Sequence, residues 1–435
     1  MTTTNQQPMT DPSCPSRASR IALYVPYVAF TAFGMFWGTW GAALPALRSH
    51  AGVSEGELGT ALLFVGVGAL PAMMFTGPLL DRIGSRPAAP LLAALGVAGL
   101  LAATGARDWP SLVAGMLLVG ATSGAADVAI NTVSGQVEQD TARPVLTRAH
   151  GVFSVAVVAA SLTAGLVLST GSEPGNEGAG STELVGTFVV ASLAVLALSA
   201  VVWIGTTAAQ ARPAPFVAPA SVPERNNRPS AHKAVSHQTA LIGAGRVTAT
   251  LALVGLVGAL AYATENAHQS WGALFLTDSF TASTQTASLA PATFAAAAAL
   301  TRLTLAPLSR THPITLLTVG GLVAAAGSLI LATSASVTIA LMGLAVAAAG
   351  TATLFPTLLS STLHDATAQQ RGQATSTIST IAYLGFLLGP AYVGLLADHI
   401  GLRGAVVGVA ALAVLFALTA APASRRMAIG TTTRP

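Results

Sequence analysis

The sequence predicts an all-α polytopic membrane protein of twelve transmembrane helices, six on either side of a polar linker. Three observations carry that expectation. The 435 residues are 52% hydrophobic and only 8% charged, with a mean hydropathy of +0.67, whereas soluble domains carry about 25% charged residues. Apolar stretches of about 20 residues, the length that crosses a bilayer core, recur along the chain between short polar turns. One segment, 205–246, is rich in Pro, Ala, Asn and Arg and has no apolar periodicity, so it cannot bury enough surface to order itself.

Taken in order, residues 1–19 carry Pro8, Pro12 and Pro15 and read as a disordered cytoplasmic tail. Arg17 and Arg20 precede an apolar run over 21–46. That run exceeds the roughly 7–15 residues of a signal-peptide core, so it reads as an uncleaved first helix. Helices follow at 58–80, 87–105, 111–134, 146–168 and 184–204. A second set is expected at 247–276, 285–308, 313–334, 337–362, 374–396 and 404–422. The chain thus divides into a bundle at 20–204, a cytoplasmic linker at 205–246, a bundle at 247–424 and a tail at 425–435. Weak internal symmetry supports the division. Each half has an arginine in the loop after its fourth helix, Arg143 and Arg371, and a fifth helix rich in Ser, Thr and Gly.

Arginine placement sets the orientation. With the N-terminus inside, Arg48, Arg107 and Arg403 are the basic residues on outer loops, and the other 17 of 20 Lys and Arg lie at the inner face. Outer loops carry Glu55, Glu57, Asp108, Glu173, Glu177, Glu183, Asp278 and Asp398 instead. Both termini are therefore expected in the cytoplasm, on a multi-pass protein of the cytoplasmic membrane in contact with lipid.

Several function classes fall away. The net charge of +4 is spread over short loops rather than one face, which gives no nucleic-acid signal. Cys14 is the single cysteine, so there is no internal disulfide and no cysteine metal site. No Gly-rich loop ends in Lys-Ser/Thr, no His/Glu pair has metal-ligand spacing, and no Ser-His-Asp arrangement stands out. An enzyme, a cofactor, a metal and ATP-driven transport are all unexpected; energy would come from an ion gradient or from the solute's own.

The turn at 77–86 organises the first half. Gly77, Asp81, Arg82, Gly84 and Arg86 follow one apolar run, and the next begins at once. Gly84 permits a backbone reversal, Asp81 can accept from the free amides of a helix start, and the arginines favour the inner face. This spacing resembles the loop after helix 2 of the major facilitator superfamily of transporters. Its counterpart in the second half, around Arg302–His312, has lost the acid, with Ala306 and Pro307 there. Trp37-Gly-Thr-Trp40 through Pro45, Gly124-Ala-Ala-Asp127 through Asn131, Tyr383 through Pro390, and Glu265 with Trp271 resemble the bacterial branch related to fucose permease-type sugar:proton symporters. The resemblance implies two six-helix bundles rocking about a central site lined by helices 1, 4, 7 and 10. It departs from drug:proton antiporters. Gly120 stands near their helix 4 arginine, and helix 5 (Gly151–Ser169) has no proline.

Candidate site residues lie inside the apolar runs. Charged groups there are expensive and usually serve a pathway. Asp127 is the first candidate for proton coupling, with Gly120, Gly124 and Asn131 at helical spacing on its face. A cavity wall and tight helix packing both fit that stripe. Glu265 is the second, set toward the outer end of its helix, with His268 and Gln269 at i+3 and i+4 as polar substrate contacts. Trp37 and Trp40 share a face of helix 1 and could stack on a sugar or planar ring, beside the close-packing pair Gly34 and Gly38. Arg148 and His150 are expected to pair with Asp140 or Glu138, and Arg302 to snorkel or stiffen the inner gate. Phe355-Pro356 marks a bend whose freed carbonyl can face a cavity. The expected partners are a small solute, sugar-like or another metabolite, and protons, acting on a monomer. The expected function is proton-coupled secondary active transport of a small solute by alternating access; the alternatives are export of a drug or metabolite and a transporter-like receptor or scaffold that moves nothing.

Overall fold

The computed structural model describes residues 17–141, 143, 145–170, 179–210, 237–305, 308–363 and 368–432. Expectations that fall on the tail to residue 16 with Cys14, on Glu173 and Glu177, on the linker at 211–236, and on Ala306 and Pro307 lie outside those residues.

Every element among the described residues is helical. The first half comprises α1 (Arg17–Ala51), α2 (Glu55–Ile83), α3 (Ala88–Gly105), α4 (Trp109–Thr141), α5 (Val145–Ser169) and α6 (Ala179–Gln210). The second comprises α7 (His237–Phe280), α8 (Thr284–Leu305), α9 (Pro313–Ala332) and α10 (Val337–Thr362). It closes with α11 (368–400) and α12 (402–432), separated at Gly401, where φ is +73°. Large apolar side chains face outward all round, Phe75 at 78% and Met74 at 76% exposure among them, as a lipid-facing belt requires. Among the described residues α1 begins and α12 ends on the same side, called here the terminal side.

Helices run past the apolar windows that mark them in the sequence, because hydropathy sees only the stretch inside the bilayer. α4 has 33 residues, about 50 Å of helix against a hydrocarbon core of about 30 Å. α6 and α7 likewise continue to Gln210 and from His237, which trims the expected linker from both ends. The start of α2 is set by a capping box. Ser54 Oγ accepts from the Glu57 amide at 3.1 Å, and Glu57 Oε2 accepts from the Ser54 amide at 2.9 Å. The Ser54-Glu-Gly-Glu57 run held that signal. The end of α2 is set by Gly84, which at φ +72° turns the chain toward α3 while its amide donates to Leu80.

Glycines let backbones touch. Gly34 and Gly38 of α1 lie on the Phe153 and Val157 carbonyls of α5, and Ser161 Oγ donates to the Gly38 carbonyl at 3.0 Å. Gly120 and Gly124 of α4 lie on Val65 and Ala69 of α2. In the second half, Gly385 and Gly389 of α11 repeat this against Ala259 and Ala263 of α7. Gly120 is thus a packing residue.

Contacts between the halves cluster on the side away from the termini. Gly59 of α2 meets Gly394 and the Pro390 carbonyl of α11, Gly41 of α1 meets Pro291 of α8, and Gly165 of α5 meets Ser288 of α8. At that rim Arg48 grips Asp278 with both terminal nitrogens, at 2.6 and 3.1 Å, and lies 3.6 Å from Glu55. Asp398 accepts from the Gly56 amide at 2.8 Å and from Ser54 Oγ at 3.3 Å.

Candidate functional site

Between the halves lies a cavity of about 290 Å³, walled by α1, α2, α4 and α5 on one side and α7, α8 and α11 on the other. None of the residues that line it comes from α10, contrary to the expectation for helix 10. Arg302 of α8 lies between α10 and the cavity: it lines the cavity and reaches back to the α10 backbone.

Asp127 stands on the cavity wall contributed by α4. Asn131, one turn on, donates Nδ2 to Asp127 Oδ1 at 3.0 Å and to its carbonyl at 2.8 Å. Asn131 therefore meets the cavity only through Asp127. The other carboxylate oxygen has no hydrogen-bond partner among the described residues, and no cation pairs with it there. Trp37 lines the cavity beside Phe33, which it meets edge-on at 6.4 Å. Trp40 also lines the cavity but shows little of itself there; it is 3% exposed, stacked on Phe36 and edge-on to Phe188 of α6.

The α7 cluster splits. Helical rotation puts His268 and Gln269 on opposite flanks of Glu265, roughly 100° apart. Gln269 reaches the cavity wall and donates to Glu265 Oε1 at 3.2 Å. His268 turns away into α9, with Nδ1 donating to the Thr264 carbonyl at 2.7 Å and Nε2 3.0 Å from Ser328 Oγ. It is 4% exposed and its ring stacks on Phe294, so it is a core residue rather than a substrate contact. Glu265 is not at the outer end either. It sits near the middle of the apolar span Ala249–Phe280 and accepts from Arg302 Nη2 at 2.8 Å.

Two prolines expose backbone carbonyls here. α10 is interrupted at Ala352–Thr353, and Pro356, lacking an amide hydrogen, leaves the Ala352 carbonyl without its helical donor. Arg302 Nε fills it at 3.0 Å. Pro390 does the same to Phe386, whose carbonyl accepts from Asn266 Nδ2 at 2.6 Å. Arg302 is therefore a clamp, neither snorkelling nor free. Asn266, Ser270 and Tyr383 also line the cavity and were not singled out as site residues from the sequence. The carbonyl freed four residues before Pro390 was the available signal for Asn266.

The motif after α2 stands apart from the cavity. Asp81 lies exposed in the last turn of α2, beside exposed Arg82, and Gly77 has open space where a Cβ would stand. On the same side, the Leu146 amide at the start of α5 donates to Glu138 at 2.8 Å, and His150 sits edge-on to Phe30 at 4.7 Å. Among the described residues Arg148 forms no ion pair with Glu138 or Asp140.

Comparison with known proteins adds a common frame. The family model described as the Major Facilitator Superfamily matches residues 27–268 and 254–428. An uncharacterised transporter of Sinorhizobium fredii is 26% identical over 361 residues, covering 83% of this chain and 87% of the relative. A bacterial homologue of the human lysosomal transporter Spinster, in its inward-facing and unoccupied conformation, superposes with a TM-score of 0.70 at 17% identity, covering 96% and 99% of the two chains. A D-xylose–proton symporter superposes at 0.67 with 14% identity, covering 92% and 97%. At those identities the likeness is one of fold.

Proposed function

This chain belongs to the Major Facilitator Superfamily, and from that premise we propose that it is a proton-coupled secondary transporter of a small solute. Asp127 carries the proton, and the halves alternate access about the cavity. The single observation behind this reading is a carboxylate, unpaired with any cation among the described residues, on the wall of a cavity that the rim of Arg48, Asp278 and Glu55 closes on one side. The arginine bias supports a cytoplasmic-membrane protein with its terminal side toward the cytoplasm. The state described is then inward-facing. A monomer suffices, since one chain supplies every wall of the cavity.

Of the solute contacts expected from sequence, Trp37, Trp40 and Gln269 line the cavity, with Asn131 setting the orientation of Asp127. In the outward-facing state Asp81 holds the terminal side shut against the amino end of α11, which begins at Ala368 and so lies about a turn before the expected Gly372 and Gln373; the helix dipole there favours an anion. The test is transport in proteoliposomes, with a solute found by thermal-shift screening of the purified protein. Asp127→Asn keeps the side chain's size and mimics its protonated form. It should abolish accumulation driven by a pH gradient at an unchanged folded yield. Accumulation at the wild-type level would make Asp127 structural and turn attention to Glu265→Gln.

A further inference from the structure

We propose that the solute is an organic monocation with an apolar or aromatic body, seated against Asp127 in exchange for the proton held there. The inference deepens the transport reading above, and its test reads binding without transport, so the two can fail separately.

Charge is the first argument. The one guanidinium that lines the cavity, Arg302, is already engaged by Glu265 and by the Ala352 carbonyl. The cavity's uncompensated charge is therefore that of Asp127. An anionic solute would meet that carboxylate with no free cation to offset it, whereas a cation completes it. The titratable groups facing Asp127 across the cavity are Tyr383 of α11 and Arg302 with its partner Glu265; Tyr262 and His150 stand further back. The residues of α1 and α2 that line the cavity, Trp37, Ala69 and Met73 among them, include none that titrates.

Hydrogen-bonding capacity is the second. A polyhydroxylated solute needs many free donors and acceptors, and here several donors of the lining are already engaged within the protein. Gln269 Nε2 donates to Glu265, Asn266 Nδ2 to the Phe386 carbonyl, Ser270 Oγ to Asn266 Oδ1 at 3.3 Å, and Ser154 Oγ to the His150 carbonyl at 3.2 Å. Ser123 and the Tyr383 hydroxyl are the further polar groups of the lining, and most of the rest is aromatic. Phe33, Trp37, Phe153, Phe294, Tyr383 and Phe386 line the cavity, and ring faces attract organic cations, most strongly where water is excluded.

The exchange balances simply. Deprotonated Asp127 takes the cation; protonated Asp127 releases it, and the proton lost on cation binding passes to water in the open cavity. One positive charge replaces another, so the two cargoes compete, and competition of this kind produces counter-movement rather than co-movement.

The experiment uses the full chain in detergent with four probes: benzyltrimethylammonium, benzyl alcohol, phenylacetate and D-glucose. Binding is followed by tryptophan fluorescence and calorimetry. Benzyltrimethylammonium should bind at least about tenfold more tightly than the other three. It should release protons in weak buffer and weaken as the pH falls. Asp127→Asn should bring it to the level of benzyl alcohol, and Asp127→Glu should keep the preference. Glu265→Gln, which frees the charge of Arg302, should weaken cation binding. Tighter binding of glucose or phenylacetate, no cation binding at millimolar concentration, or unchanged binding by Asp127→Asn would each overturn the proposal. Cation binding without any counterflow would leave the cavity assignment standing and remove the transport reading.

Discussion

Arg302 Nε donates to the Ala352 carbonyl at 3.0 Å, the one carbonyl in α10 that Pro356 deprives of its helical partner. A break in one helix is thus held by a side chain from another, while Nη2 of the same arginine holds Glu265 on a third. α7, α8 and α10 are tied at one point.

That knot should be visible in stability. Removing one partner of a poorly solvated pair leaves the other uncompensated. Arg302→Met should destabilise the protein by about 1–3 kcal/mol, since Arg302 is half-exposed and part of its charge stays hydrated. Adding Glu265→Gln to it should restore some of the loss. Chemical or thermal melting of the four variants in detergent measures the coupling; additive losses would show that the pair contributes nothing.

The glycine contacts make a sharper prediction about packing. A Cβ at position 120 or 385 would fall inside contact distance of the Val65 or Ala259 carbonyl. Neither backbone can retreat without moving a whole helix. Gly120→Ala and Gly385→Ala should each cost about 1–3 kcal/mol. Gly77→Ala, with open space around it, should be close to neutral for stability. Folded yield and melting temperature test the contrast.

The rim is a conformational test. Arg48→Ala removes the bridges to Asp278 and Glu55 and should favour opening of that side by about 1 kcal/mol, a population shift of about fivefold. Spin labels at Arg107 and Ala335, one on each half, report the distance in a Cys14→Ser background. A distribution unchanged by Arg48→Ala would mean that the rim does not set the equilibrium.

Topology is checked chemically. Cysteines introduced at Gly175 and Ser230 in the same background should react with an impermeant reagent from opposite sides of the membrane. Reaction from one side alone would break the twelve-span arrangement.

Asp81→Ala should slow turnover severalfold while leaving solute affinity nearly unchanged, because Asp81 lies well away from the cavity walls. Transport rates set against binding constants separate the two effects.

The fold was legible because a bilayer demands one thing of every span, and composition reports it directly. The end of α2 was legible for a different reason: the reversal at Gly84 needs φ above zero. Site residues were harder. Asp127 could be read because a carboxylate inside an apolar run is conspicuous whatever its neighbours. The α7 cluster could not, since spacing puts His268 and Gln269 near Glu265 without saying which flank faces a cavity and which faces α9. The partnership of Arg302 with Glu265 joins residues 37 apart in the chain, and neither spacing nor hydropathy encodes it. Asn266 was hidden by its ordinariness, an amide whose value comes from a proline on another helix.

Gly59 and Gly394 meet backbone to backbone where α2 crosses α11. Such a contact has no side chains to interlock and so no teeth. Leu387 of α11 does insert at Gly66 of α2 further along, but around Gly59 and Gly394 the two surfaces can part without rotamer changes, and resistance there collects at the charged edge. Tempo would then be governed by a handful of ionic bonds at the margin, which makes it responsive to ionic strength. A change of one residue there could retune the cycle without disturbing either the bearing or the cargo site.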